Sequence, residues 1–154
     1  MKFFFHQKRF SWDEPLMIYD EHGNTLYTAR GEALMHEKRL RLFDREGHDV
    51  AVVVKKAGTL SLQCELFAHG HKEGGVARRW LPFSASPFAV SGLNWTLHGD
   101  TTQHDYRISE SGHEVALIRP EHLCWGGHFS VCADEDNALR ALLVALVIDC
   151  IAAA

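Results

Sequence analysis

The sequence predicts a mainly β fold: an antiparallel barrel of about ten to twelve short strands around a buried apolar C-terminal α-helix. Three observations carry this expectation. Glycine-bearing turns recur between stretches of alternating apolar residues, matches recur at one constant offset, and an apolar run near the C-terminus is too uniform for a surface helix.

The turns come first. Met17-Ile18-Tyr19 and Thr25-Leu26-Tyr27 flank Asp20-Glu21-His22-Gly23, an Asp-x-x-Gly turn between β-branched and aromatic residues, which reads as a hairpin. Leu40 to Val54 repeats the form around Asp44-Arg45-Glu46-Gly47, and Tyr106 to Ile118 repeats it around Ser109-Glu110-Ser111-Gly112. Gly23, Gly47 and Gly112 are expected to supply positive φ at these turns. His69-Gly70-His71-Lys72-Glu73-Gly74-Gly75 reads as a surface loop, and Phe88-Ala89-Val90 and Leu93 to Asp100 resume strand-like alternation.

The second and third hairpins match at a constant offset of 65 positions: Gly47-His48 meets Gly112-His113, Val50-Ala51 meets Val115-Ala116, and Ala68 meets Ala133. The same register carries Val53 onto Ile118 and Leu66 onto Val131. The expectation is one domain over residues 1–154 with an internal duplication, about 39–68 and 104–133, forming two similar meanders of a barrel or sandwich.

The C-terminal segment decides between those two shapes. Asp134-Glu135-Asp136-Asn137 offers N-caps and acidic groups suited to a helix start. From Ala141 to Ile148 no residue is polar, so every face of the following helix is apolar and must be enclosed. Arg140 and Asp149 bracket a run far short of the roughly 20 apolar residues of a membrane span. A helix threaded through a β-barrel is the enclosure that remains, with no transmembrane span.

At 154 residues the chain has the commonest single-domain size, and 46% hydrophobic residues suffice for a core without cross-links. A formal charge of −4 gives no global attraction to nucleic acid, and none is expected as a partner. Cys64, Cys124, Cys132 and Cys150 form neither a C-x-x-C pair nor a zinc-knuckle spacing, which fits free thiols in a reducing cytosol. Phe3-Phe4-Phe5 is interrupted too soon for a secretory signal, so a cytoplasmic protein is expected, peripheral at the membrane if it binds lipid.

Several elements together resemble the LURP-one-related family, which has the tubby C-terminal-like fold and is similar to the phospholipid scramblases. They are Ile18-Tyr19-Asp20-x-x-Gly23, Leu42-x-Asp44-x-x-Gly47-x-x-Val50-Ala51-x-x-x-Lys55 and Leu60-Ser61-Leu62. In the second half they are Gly99-Asp100, Asp105-Tyr106-x-Ile108, Val115-Ala116, and Asp134-x-Asp136 leading to Ala145-Leu146-Val147-Ile148-Asp149. The resemblance covers nearly the whole chain and implies twelve strands closed around a central helix. Two departures concern surface chemistry: Arg119-Pro120 stands where a lysine is frequent, and Phe129 where a strand tyrosine is expected.

Nucleophile elbows, phosphate loops and dinucleotide fingerprints are absent from the sequence, and no cofactor, metal ligand or catalytic residue is assigned. Tubby-like relatives include phosphoinositide binders, which singles out Lys55-Lys56 at a strand end and Arg78-Arg79 beside Trp80 as candidate ligand-binding residues. The functional expectation is a non-enzymatic binding module for a phosphoinositide, another anionic lipid or a protein partner at the barrel surface. The competing expectation is a histidine-dependent, metal-assisted hydrolase, because eleven histidines could be gathered by the fold.

Overall fold

Period-two burial along the strands sets the architecture of this computed structural model, which describes residues 1–6, 9–58, 61–79, 87–123 and 126–153, with the backbone alone at 122–123 and 126–127. In chain order the strands are β1 (Lys2–His6), β2 (Leu16–Tyr19), β3 (Thr25–Ala33), β4 (Glu37–Phe43), β5 (Asp49–Lys56) and β6 (Gln63–Ala68). They continue as β7 (His71–Arg78), β8 (Phe88–Ser91), β9 (Trp95–Asp100), β10 (Asp105–Glu110), β11 (His113–Leu123) and β12 (Gly126–Ala133). One helix, α1 (Glu135–Ala145), follows and runs on into a π-helical turn over Leu146–Ile151.

The twelve strands make one antiparallel sheet ordered β8-β7-β6-β5-β4-β3-β2-β1-β12-β11-β10-β9. Its two ends, β8 and β9, approach each other without joining the hydrogen-bonded order, so the barrel is nearly closed. Inward residues such as Leu40, Leu42, Val53, Leu66, Ile108, Ile118 and Val131 alternate with outward ones and are at most 1% exposed. The helix lies among them. Leu142, Leu143, Val144, Leu146, Val147 and Ile148 are all buried, as a helix apolar on every face requires. Among the described residues no helix is long and apolar enough to cross a membrane.

All three expected hairpins form, and Gly23, Gly47 and Gly112 have φ of 81°, 84° and 82°. The polar stretch from His69 differs from the expected loop: only His69-Gly70 turns, and His71 already pairs with Ala68 at the start of β7. The three phenylalanines are inner-strand material, since β1 sits between β2 and β12 with Phe3 and Phe5 fully buried.

Two ladders share one geometry. Ala51 pairs Ala68 and Val53 pairs Leu66 across β5–β6; Ala116 pairs Ala133 and Ile118 pairs Val131 across β11–β12. The hairpins also carry corresponding bulges, with Val50 the extra residue in β5 and Val115 the extra residue in β11.

Candidate functional site

Up-and-down connectivity sends alternate turns to opposite ends of the barrel, and the two ends differ in charge. At the end where the helix begins, the turns carry Asp20, Glu21, Asp44, Glu46, Asp49, Glu110 and Glu114, followed by Asp134-Glu135-Asp136. Here Asp44, Glu46 and His48 form the one cluster spaced for a metal ion among the described residues. Its Asp44 already accepts the backbone N–H groups of Glu46 and His48, closing the turn and holding its carboxyl below the ordinary range.

The opposite end, where the helix finishes, gathers Arg9, Lys38, Lys55, Lys56, Arg78 and Arg79. Consecutive residues of a strand face opposite ways, so Lys55 and Lys56 have different surroundings. Lys56 points outward and is held by Glu65 at 3.4 Å and Glu37 at 3.9 Å. Lys55 continues the inward row of Ala51 and Val53, and its register partners are Lys38 and Cys64. Lys38 lies over the Trp12 ring at 5.4 Å. Arg78 continues the inward row of β7, donates from Nη2 to the Ala152 carbonyl at 3.1 Å and lies over Phe88. A cation on the last helical carbonyls is where the helix dipole favours one.

Arg79 is exposed, and its backbone N–H donates to the Pro87 carbonyl. Trp80 lies outside the described residues. Arg9, Lys38, Lys55, Arg78 and Arg79 have no carboxylate partner among the described residues, and neither do Arg30, Arg107 and Arg119 along the strands, whereas Lys2, Arg39, Arg41, Arg45, Lys56, Lys72 and Arg140 all have one. Beside Lys38, the tip of the β3–β4 hairpin exposes two apolar side chains, Leu34 at 42% and Met35 at 90%.

The same end holds a buried polar centre that the sequence reading missed. Asp149, on the π-helical turn, has a fully buried side chain. Its Oδ1 lies 2.6 Å from His104 Nδ1, and its Oδ2 accepts from the Tyr106 hydroxyl at 2.5 Å. Burial raises the Asp149 carboxyl above the ordinary range, opposed by the hydrogen bonds from His104 and Tyr106. Burial and the neighbouring carboxylate push the Tyr106 phenol and the Cys150 thiol upward, which leaves Cys150 inert as a nucleophile.

A short 3₁₀ turn, Thr101–Gln103, presents His104. Asp100 caps it by accepting from the Thr102 N–H and hydroxyl, and His104 closes it in the left-handed region at φ 54°. Gly99 makes the approach feasible: at φ 121°, a Cβ there would meet the Asp105 carbonyl at 2.6 Å. The His104 ring stacks on Phe129 at 4.4 Å, and Phe129 stacks on Phe5 at 4.7 Å. Beyond them His6 Nδ1 lies 2.6 Å from His128 Nε2. His6, Arg9, Phe10, His104, Phe129, Asp149 and Cys150 line a hollow of about 310 Å³. A second, of about 290 Å³, meets it at His104 and Ala153 and is lined by Arg78, Phe88, Thr101 and Thr102.

A family model described as LURP-one-related matches residues 1–150. The chain belongs to the LURP-one-related family. Among its relatives, the uncharacterised protein YxjI of Bacillus subtilis (strain 168) is 24% identical over 150 residues, which is 97% of this chain and 92% of that one. A protein of Arabidopsis thaliana with an X-ray structure superposes with a TM-score of 0.63 at 18% identity, over 96% of this chain and 89% of that one. At that identity the likeness shows the fold. Both departures from the expected LURP-one-related pattern lie near the buried centre: Phe129 is the ring under His104, and Pro120 is its register partner. Pro120 pairs only with β12, beyond the part of β11 that pairs with β10, so its missing N–H disturbs one ladder.

Proposed function

We propose that this protein is a non-enzymatic module that binds an anionic phospholipid surface, in the cytoplasm, through the end of the barrel where the helix finishes. The observation that carries the reading is a group of cations at this end without carboxylate partners among the described residues, Lys38, Lys55, Arg78 and Arg79, with the exposed apolar tip Leu34-Met35 at the same end. Basic residues near an anionic leaflet contribute about 1 kcal/mol each, and an apolar tip adds burial in the headgroup layer. The helix fills the barrel interior, which leaves recognition to the ends and the outer wall.

Sedimentation with phosphatidylcholine vesicles, with and without phosphatidylserine or a phosphoinositide, tests the proposal. The parent should sediment with the anionic vesicles alone. Lys55→Gln with Arg79→Gln should weaken binding by about 2 kcal/mol, roughly thirtyfold. Lys56→Gln should change it little, because Lys56 is already paired with Glu65 and Glu37. No sedimentation of the parent at low salt, where charge attraction is strongest, refutes the reading.

A further inference from the structure

We infer that the hollow beside His104 is a separate small-molecule site, which takes a small oxyanion able to carry a proton, a phosphate or a carboxylate. The inference does not depend on the membrane reading, because it uses different side chains.

Its basis is the way the buried centre leaves His104. Nδ1 is committed to Asp149 at 2.6 Å, and Asp149 is fixed from its other oxygen by Tyr106. A carboxylate on one ring nitrogen sets the tautomer and orientation of an imidazole and leaves the other nitrogen for a ligand. His104 is 17% exposed at its side chain and lines the hollow, so Nε2 is the nitrogen left for that space. Stacking on Phe129 holds the ring plane.

Charge points the same way. Arg9 stands on the rim with no carboxylate partner among the described residues, and His6 adds a third nitrogen-bearing side chain to the wall. Asp149 is the one carboxylate among the residues lining this hollow, and it is engaged by His104 and Tyr106; Asp13 and Glu14 line a separate hollow on which Arg9 also borders. Arg9 gives a guanidinium fork for two oxygens of the ligand. His104 Nε2 serves either protonation state, donating to an oxyanion when charged and accepting a P–OH or carboxylic proton when neutral. An oxyanion that can itself be protonated suits both, which is why phosphate and carboxylate are the classes named.

Titration of the full chain with inorganic phosphate and with acetate, followed by calorimetry and by the His104 imidazole NMR signals, tests the site. The parent should bind at least one of the two saturably at millimolar concentration, with the His104 signals shifting. Arg9→Gln removes an exposed cation that has no carboxylate partner among the described residues, and should weaken binding at least tenfold with the fold unchanged. His104→Asn keeps a residue tolerant of the left-handed backbone and should weaken it similarly. Met35→Ser, aimed at the membrane tip, should leave it unchanged, so the two proposals fail separately. Absence of saturable binding to both anions, or unchanged affinity in either Arg9→Gln or His104→Asn, overturns the inference.

Discussion

Removing the helix should abolish the barrel rather than release it. Leu142, Leu143, Val144, Leu146, Val147 and Ile148 are 0–3% exposed, and each is surrounded by inward strand residues. Full burial of such side chains contributes about 1.5–3 kcal/mol each, on the order of 9–18 kcal/mol for the six. That matches or exceeds the roughly 5–15 kcal/mol net stability of a domain, even before the strands' own uncovered inner faces are considered. A chain truncated before Ala138 is therefore expected to be insoluble or to show no cooperative urea transition by circular dichroism. Leu143→Ala gives a graded version of the same perturbation, because it leaves a cavity at a fully buried position. Its urea midpoint should report a loss of about 2–5 kcal/mol. A truncated protein that stays monomeric and melts cooperatively, or a Leu143→Ala protein within 1 kcal/mol of the parent, would show that the helix does not complete the core.

Gly47 and Gly112 have open space where a Cβ would stand, so their substitution isolates backbone strain from crowding. Valine at either should lower stability by about 1 kcal/mol or more, measured by thermal melting; unchanged melting of both variants would refute the turn assignment. Burial of Asp149 gives its contribution to stability a pH dependence. Its folded-state carboxyl is raised above the ordinary 3.8, so its contribution is full below that value and is lost as pH rises through the folded value. Asp149→Asn should remove this loss, so urea stability of parent and variant should diverge in the parent's disfavour from pH 4 upward. A parent that instead gains on the variant over that range contradicts the raised carboxyl.

Hairpins, strand alternation and the enclosed helix were legible because each is written in local pattern. Asp-x-x-Gly turns require positive φ at the glycine, and a run from Ala141 to Ile148 with no polar residue has nowhere to go but the core. The 65-position offset is matched by paired residues and by corresponding bulges, which supports the proposal that about 39–68 and 104–133 are copies of one meander. The candidate site was less legible. That Lys55 and Lys56 would face opposite ways follows from strand period two, yet only the register shows that Glu37 and Glu65 occupy one of them. Asp149 was conspicuous as the one acid beyond the first turn of an apolar helix, and Asp105-Tyr106 was visible as a motif. No sequence spacing says that a π-helical turn brings that acid to Tyr106 and to His104, residues more than forty positions earlier. His69 to Gly75 read as a loop because glycine and charge mark turns, whereas β7 tolerates them.

The helix follows all twelve strands in the chain, and β1, near its start, pairs with β12, the strand just before the helix. During synthesis at about 5–20 residues per second, the growing protein therefore spends on the order of ten seconds with its inward faces uncovered. Pairings of such long sequence separation also form slowly. Until the helix emerges, the inward apolar faces of the strands have nothing to pack against. Premature termination ahead of Glu135 would leave those faces and the two sheet ends, β8 and β9, open to pairing with other chains.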